Sequence, residues 1–568
     1  MSISKLWNIY PRISRDSIDR LSPFSPLAAQ LLHNRGVFDY ASAKKFLATD
    51  SSQLNDPMLL PDMQRATVRL SSAIQANENI GVFGDFDADG VTGTALMSRG
   101  LQSLGIDVIP YIPDRVTEGH GLTKDSMDFF TEKGVTLLIT VDCGTTDVAE
   151  IAYGKTMGID IIVTDHHLPT SDVGIPFALI NPQMLSSSYP FPNLSGVGLA
   201  FKLIQGLYQY LDIEWDVNLL QLAAIGTIAD LVPLLGENRY IVAEGLKRLN
   251  TDPLPGLSEL VTNGRLDQSG PLDENSVAFG LGPRINAPGR LDTGLISYQL
   301  LMSQSRDEAY DIARTVEKLN RDRQAITRKS ILVADEIIEN AELDNKSIIL
   351  VESEDFIPGV LGLLASRLVD QYYLPSVAIS IDGPYARGSC RSIPEFNMAL
   401  ALSECEDLFI RFGGHAGAAG FLMTRDRLDD LRDRLNEIAI AKLSKLSLVP
   451  TLDIDAHVRL STLAGDNFSF LEELQPFGVK NRDPLFVTKG VEVLESKRLG
   501  NRGNHLKLVL RYEGSIWNGI GFGLLERWDY NWKFVDLVYN FGLETWNGSS
   551  QFRLSIKDIR PAIDRQVL

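Results

Sequence analysis

The sequence predicts a multidomain α/β protein: a parallel-sheet core, a second α/β domain joined to it by a long helix, and a small β-barrel at the C-terminal end. Three observations carry this reading. Short apolar runs at 80–83, 108–112, 137–141, 161–163 and 178–180 alternate with helical segments, as in a parallel sheet covered on both faces. Residues 305–340 contain neither glycine nor proline. Beyond residue 451, runs rich in β-branched and aromatic residues recur at 491–494, 506–510, 516–522, 535–541 and 552–556, the texture of a five-stranded barrel for which an oligonucleotide-binding fold is the natural candidate.

A chain of 568 residues exceeds a single core, and at roughly 100 to 200 residues per domain three or four are expected. The expected divisions are an N-terminal helical segment at 1–75, the parallel-sheet domain at 76–304, a connecting helix at 305–340, a second α/β domain at 341–448 and the barrel domain at 449–568. The first segment reads as helical and linker-like, broken by Pro23, Phe24, Ser25 and Pro26, with a short helix at 42–47. Helices dominate 199–249. Ser305 with Glu308 makes a capping-box start, and Ile312, Val316, Leu319, Arg323 and Ile326 trace one face of the helix that follows. Unbroken, it would be about 50 Å long at 1.5 Å per residue, a strut between two domains; the alternative is a pair of shorter helices parting near Asn320. The second α/β domain is expected to open with a strand at 348–351 and a helix at 361–369.

Hydrophobic content of 44% and charged content of 22% suit a globular protein able to build sizeable cores. Three widely separated cysteines, Cys143, Cys390 and Cys405, argue against a disulfide framework or a paired-cysteine zinc site and fit a reducing compartment. The sequence holds no run of the ~18 apolar residues that a membrane span needs, so a cytoplasmic location is expected. The formal charge of −19 disfavours a polyanion as partner, because affinity for phosphates comes largely from Lys and Arg. Net charge is an average, however, and a basic track across the surface remains compatible with it.

Chemistry concentrates at strand ends. Asp85, Asp87 and Asp89 alternate just past the first apolar run, and the Asp89-Gly90 pair reads as a turn leading into a helix from Val91. Three carboxylates so close repel one another, and a cation is the simplest remedy. Alone, the stretch could equally be an acidic turn with solvated carboxylates. Asp142 follows the run at 137–141, Asp165-His166-His167 follows 161–163, and Asp230 ends an apolar helical run at 222–229. An Asp-rich set with a minority of His suits two divalent ions, Mn²⁺ or Mg²⁺, which together activate water and stabilise the leaving oxygen of a phosphoester.

These four clusters resemble the phosphoesterase motifs of the DHH superfamily. Later stretches, Gly282-Pro283-Arg284-Ile285-Asn286-Ala287-Pro288-Gly289-Arg290, the run 359–368, Gly388-Ser389-Cys390-Arg391-Ser392, and Gly413-Gly414-His415 with Ala418-Ala419-Gly420, resemble those of its single-strand-specific exonuclease branch, the RecJ family. The resemblance implies a DHH core, a DHHA1-like second domain, and a 5′ to 3′ exonuclease on single-stranded DNA that uses two Mn²⁺ or Mg²⁺ ions and releases mononucleotides. It also implies work in recombination and mismatch repair, with a single-stranded-DNA-binding protein and a RecQ-type helicase as partners. Asp87, Asp89, Asp142, His166 and Asp230 match metal ligands, Asp142 as the bridge; Asp165 and His167 match catalytic, substrate-facing positions. Small pyrophosphatases of the superfamily carry a His where this chain has Phe83, and Asp85 is expected to fill in. Arg115, Arg284, Asn286, Arg290, Ser389, Arg391 and His415 match positions near DNA phosphates, where an arginine fork donates two hydrogen bonds, and the glycines of 413–420 let backbone N–H groups approach an anion. In the barrel, Lys489, Lys497, Arg498, Arg502, Lys507 and Arg511 with Tyr512 and Trp517 form a candidate single-strand track, against the plainer reading that the aromatics are core. Two other functions are compatible: a phosphodiesterase for short oligonucleotides or cyclic dinucleotides, and a catalytically silent scaffold that binds DNA or replication proteins.

Overall fold

A computed structural model of the chain describes residues 4–169, 172–340, 347–500, 504–546 and 549–562. The fold comprises two compact units, one formed by 13–320 with 465–483 and the other by 1–12 with 321–464 and 484–568. The chain begins, against expectation, with a strand: β1 (Leu6–Ile9) belongs to the second unit.

The first unit is organised around β2 (Ile80–Gly84), β3 (Ile109–Tyr111), β4 (Leu137–Val141), β5 (Asp160–Thr164) and β6 (Ala178–Ile180). They form one parallel sheet in the order β3-β2-β4-β5-β6. Alternate residues serve two cores: Val82, Ile139 and Ile162 join one, Phe83, Leu138, Ile161 and Val163 the other. Burial on both faces explains why the strands read as unbroken apolar runs rather than alternating ones. The chain order reverses between β2 and β4, which makes the crevice beyond their carboxyl ends a topological switch point, where open α/β sheets bind ligands.

The N-terminal helices Arg15–Arg20, Pro26–Asn34, Tyr40–Leu47 and Met63–Ala76 complete this unit. Pro26 starts a helix rather than breaking one, because at the first helical position its missing N–H is not needed and Ser25 caps the turn. Asp89-Gly90 likewise is no exit turn. The helix Ala88–Gln102 already contains both, with Asp87 as its N-cap. Gly90 is required for proximity instead, since a Cβ there would stand 2.4 Å from the Asp85 carbonyl oxygen.

Residues 465–483 also pack in this unit. Arg239, 1% exposed, donates from Nη1 to Leu474 O (2.9 Å) and from Nη2 to Glu473 O (2.8 Å) and Gln475 O (2.6 Å). A buried guanidinium is tolerated here because carbonyls left open at the end of the helix Asp466–Glu473 satisfy it.

The helix Arg306–Asn340 is continuous, so there is no break near Asn320. Ser305 Oγ accepts from Glu308 N (3.2 Å), but the Glu308 carboxylate accepts from Gln304 N rather than closing the box on Ser305. Its buried positions Ala309, Ala313 and Val316 lie in the core of the first unit, and Ala334 and Ile338 in a core of the second.

The second unit holds a mixed sheet of β7 (Ile349–Ser353), β8 (Ser376–Asp382), β9 (Tyr385–Arg391), β10 (Phe409–His415) and β11 (Ala418–Thr424), ordered β10-β11-β9-β8-β7. Only β7 and β8 run parallel, joined through the helix Leu361–Tyr372. β12 (Thr451–Ile454) pairs with β1. β13 (Ala456–His457), β14 (Phe486–Leu499), β15 (His505–Tyr512), β16 (Ser515–Gly521), β17 (Phe534–Trp546) and β18 (Ser549–Pro561) follow, and pairing of β14 with β17 closes a five-stranded barrel. Four of the five barrel strands, all but β16, outrun the apolar runs that signalled them, and charged residues pair across the ladder there, as Arg511 opposite Glu492.

Replacing Arg239 leaves three carbonyls without their shared donor. Arg239→Ala should destabilise the docking of 465–483 by about 3 kcal/mol or more, and Arg239→Lys should not rescue it, since one ammonium cannot reproduce the planar fork. Loss of amide-exchange protection across 466–481 is the measurement.

Candidate metal centre

The strand register builds the site. Gly84, Val141 and Thr164 stand level in β2, β4 and β5, so the next residues, Asp85, Asp142 and Asp165, are level too. The ladder continues through them, Asp85 N donating to Val141 O (3.2 Å), Asp142 N to Thr164 O (2.9 Å) and Asp165 N to Ile180 O (3.2 Å). Asp142 then turns sharply with φ +66°, a left-handed conformation that for a non-glycine residue commonly marks a functional position.

Two helix starts fix the next carboxylates. Asp87 Oδ1 accepts from Asp89 N (2.9 Å) and Gly90 N (3.2 Å). Asp89 takes both N–H groups at the start of the helix Gly196–Leu211, Gly196 N at 2.6 Å and Val197 N at 2.9 Å, where the positive end of a helix dipole favours an anion. Asp230 caps the C-terminal end of Leu220–Ala229. Gly196 allows the approach: a Cβ there would meet the Asp142 side chain at 2.4 Å.

The sequence-selected side chains converge. His166 Nε2 lies 3.0 Å from Asp142 Oδ1 and 3.6 Å from Asp230 Oδ2. Ligand atoms of Asp85, Asp87 and Asp142 lie within 4.8 Å of one another, as do those of Asp89, His166 and Asp230, and those of Asp142, His166 and His167. Asp85 Oδ1, Asp142 Oδ1, His166 Nε2 and Asp230 Oδ2 are all buried without a hydrogen-bond partner among the described residues. Four orphaned atoms in one crevice fit a metal site, since each would otherwise be desolvated for nothing.

The electrostatics agree. Burial, reinforced by Asp89, Asp87, Asp85 and Asp230, drives the Asp142 pKa well above the carboxylate range; burial and neighbouring carboxylates also raise Asp87, Asp89 and Asp230. Burial, then the charge of His167, lowers His166 to about 4, leaving a neutral imidazole ready to ligate. Asp165 goes the other way: against burial, His167 and Thr145 hold it low through hydrogen bonds. Its Oδ1 stands 2.7 Å from His167 Nδ1 and accepts from His167 N (3.1 Å), and Oδ2 accepts from Thr145 N (2.9 Å). His167 is raised by that partner in spite of its own burial.

Phe83 is core, stacked on Tyr111 at 5.5 Å. Arg115 stays beside the cluster, its guanidinium 3.9 Å from the centre of the Phe86 ring, with Asp87 and Asp85 acting on its charge. Arg284 and Asn286, expected near phosphates, have protein partners here. Arg284 Nε donates to buried Glu317 at 2.7 Å and Nη1 to Gly280 O at 3.0 Å, and Asn286 Oδ1 accepts from Ala88 N at 2.9 Å. Protein partners engage both, and Asn286 braces the Asp85–Asp89 loop through Ala88 N. Arg290 follows Gly289, where a Cβ would stand 2.7 Å from Phe86 O.

Sequence reasoning missed two residues. Asn181 follows β6 as the aspartates follow theirs, and its Nδ2 donates to Thr145 Oγ1 and His167 O, both at 2.9 Å; the strand-end rule could have found it. His120 Nδ1 lies 3.1 Å from Asp85 Oδ1, and no spacing in the sequence signals it.

Known proteins bear on this geometry. Residues 79–227 match the DHH family N-terminal domain, 345–441 the DHHA1 domain and 454–558 the RecJ OB domain. The single-stranded-DNA-specific exonuclease RecJ of Bacillus subtilis is 37% identical over 566 residues, covering 98% of this chain and 71% of that protein. The chain belongs to the RecJ family. The crystal structure of RecJ in complex with Mn²⁺ from Thermus thermophilus superposes with a TM-score of 0.83 at 28% identity, over 99% of this chain and 80% of that one. The Mg²⁺ complex of the same protein gives 0.77 at 28% identity, over 98% and 78%.

In the second unit of this RecJ-family chain, Ser389 and Arg391 sit two residues apart on β9. Ala418 of β11 lies opposite Arg391 and Gly420 opposite Ser389, while β10 places His415 opposite Ala418 and Gly413 opposite Gly420. Cross-strand partners share a face, so Ser389, Arg391 and His415 stand together beside glycines that leave the backbone uncovered. The expected glycine-rich loop is thus a hairpin of two strands. Gly362, at the start of Leu361–Tyr372, adjoins them, since a Cβ there would lie 2.9 Å from the Arg391 guanidinium. On the barrel, Arg511 forms a two-bond pair with Glu492 (2.8 Å each), Lys497 meets Glu495 at 2.9 Å and Arg498 Nε donates to Tyr530 OH at 3.1 Å. Exposed ion pairs of this kind are worth about 0–1 kcal/mol. Tyr512 and Trp517 are half-buried, and Arg502 lies outside the described residues.

Carboxylates with raised pKa retain protons that a cation must displace. Mn²⁺ affinity should therefore rise from about pH 6 to 8, with proton release seen as a buffer-dependent calorimetric enthalpy. In chelator, Asp142→Asn should raise the melting temperature, because an amide carries no charge that folding must neutralise. In saturating Mn²⁺ the wild type should gain about 2.7 kcal/mol at a hundredfold excess over Kd, and the variant much less.

Proposed function

We propose that the chain degrades single-stranded DNA from one end as a metal-dependent exonuclease, with Asp85, Asp87, Asp89, Asp142, His166 and Asp230 holding two Mn²⁺ or Mg²⁺ ions and Asp142 shared between them. The carrying observation is the set of four buried, unpartnered ligand atoms at the switch point of a DHH sheet. A bound pair of such ions supplies an activated water and charge stabilisation for the leaving oxygen.

The chain's own residues do the rest. Asp165 holds a proton at His167 Nδ1 and fixes the ring, which leaves Nε2 of a half-exposed imidazole free to donate to a phosphoryl oxygen. Asn181 steadies the same residue through its carbonyl. Arg115, stacked on Phe86, presents cationic charge beside the acidic loop. Ser389, Arg391 and His415 share one face suited to a backbone phosphate. The barrel offers cations held in weak exposed ion pairs.

Family membership supports 5′ to 3′ polarity, release of mononucleotides, and a place in recombination and mismatch repair beside a single-stranded-DNA-binding protein and a RecQ-type helicase. A cytoplasmic location accords with that work; among the described residues no helix is long and apolar enough to cross a membrane.

A time course with Mn²⁺ on 5′- and 3′-labelled single strands and on blunt duplex tests the reading. Only single strands should shorten, from the 5′ end, and Asp142→Ala should reduce the rate by at least about 10²-fold while DNA is still retained. His167→Ala should lower kcat by about 10²- to 10⁴-fold. Equal rates on single strand and duplex would dispose of the assignment.

A further inference from the structure

Asp87 and Asp89 are aimed by hydrogen bonds to their carboxylates. Asp230 is aimed differently: its Oδ2 has no partner among the described residues, so the backbone that carries it sets its place. On one side that backbone is held by its own helix, Asp230 N donating to Gly226 O at 2.9 Å. Leu231 then turns away with φ +60° and a long bond from its N to Ile228 O (3.3 Å). It is 67% exposed, so packing does not fix it. On the other side Pro233 O accepts a local bond from Asn238 Nδ2 (3.0 Å), and buried Leu234 donates from N to Val479 O at 2.9 Å.

Val479 belongs to the docked segment 465–483, in a turn that its own bonds make rigid. Gly478 N donates to Asn481 O (2.9 Å) and Asn481 N to Gly478 O (3.1 Å), with Lys480 between them left-handed at φ +64°. Asn481 is fully buried, and both polar atoms of its side chain are engaged. Its Nδ2 donates to Leu474 O and Pro476 O (2.9 Å each), and its Oδ1 accepts from Arg35 Nε (2.8 Å). Gly478 lets this turn reach Leu234. A Cβ there would stand 2.6 Å from Leu234 Cδ1 and 2.8 Å from its Cγ. Gly478 is not left-handed, so the glycine serves closeness rather than backbone freedom.

We propose, on the two-ion reading above, that the turn 478–481 is a positioning element for Asp230. An ion held by Asp89, His166 and Asp230 then depends on the turn, while one held by Asp85, Asp87 and Asp142 does not. A ligand must be kept within about 0.5 Å of its productive place, and the chain from Asp230 to Leu234 has no regular structure of its own to do so. The Val479 carbonyl supplies the missing fixed point. The competing role is packing alone, in which the turn adds stability and leaves ion affinity untouched.

Calorimetric titration of the full-length chain with Mn²⁺, alongside melting in chelator, decides between them. Gly478→Ala sets a methyl against Leu234 and should weaken Mn²⁺ about tenfold at one of two positions, leaving the other unchanged. In an Asp230→Ala background, where that position is already lost, Gly478→Ala should change nothing further. If Gly478→Ala does not fold, Arg35→Ala releases Asn481 Oδ1 without adding bulk and should give the same selective loss. A lower melting temperature with both affinities intact, equal weakening at both positions, or further loss in the Asp230→Ala background would overturn the positioning role and leave the two-ion reading standing. A wild-type chain that binds fewer than two Mn²⁺, or an Asp230→Ala variant that keeps both, would remove the two-ion reading and the positioning role with it.

Discussion

Like-charge repulsion in a buried crevice is the constraint to which the first unit answers. Asp85, Asp87, Asp89, Asp142 and Asp230 are gathered in overlapping groups, largely out of water. In such a place ionised carboxylates oppose one another strongly and are poorly solvated. Burial and like charge together raise the pKa of Asp87, Asp89, Asp142 and Asp230, so protons compete with a cation for them. The sheet, its helices and the glycines around them hold those groups together against that repulsion.

The means are local and separate. Backbone N–H groups at two helix starts take part of the charge of Asp87 and Asp89, and the ladder running one residue past the strand ends keeps Asp85, Asp142 and Asp165 level. Asp142 adopts an unfavourable left-handed backbone, a strain that marks a position selected for aim rather than stability. Asp165 is withdrawn from the metal ligands by its three bonds to His167 and Thr145. Two carboxylates at neighbouring strand ends thus take opposite roles, one left open for a cation and the other orienting an imidazole.

Much of this was legible from the chain alone. The five apolar runs became the five strands of the sheet with shifts of one residue or so at their ends, and the acids and His166 that follow them came together. The barrel runs also became barrel strands, four of the five longer than their runs, since polar residues at strand ends give no apolar signal. Other expectations failed for identifiable reasons. Pro26 and Asp89-Gly90 look like breakers but serve in first turns, where a missing N–H or an approaching backbone is what matters. β1 was read as helical because a four-residue strand whose partner lies some 445 positions away leaves no local trace.

What the sequence by itself determined was the kind of chemistry and its address: acids and an imidazole directly after buried strands, which a parallel sheet must deliver to one edge because its strands end side by side. Tertiary structure alone decided the use of each group. It gave Arg284 to Glu317 and Asn286 to the start of the helix Ala88–Gln102, and brought His120 to Asp85. Those outcomes depend on contacts between segments far apart in the chain, and side-chain partnership across such distances is fixed by packing, which neither spacing nor periodicity encodes.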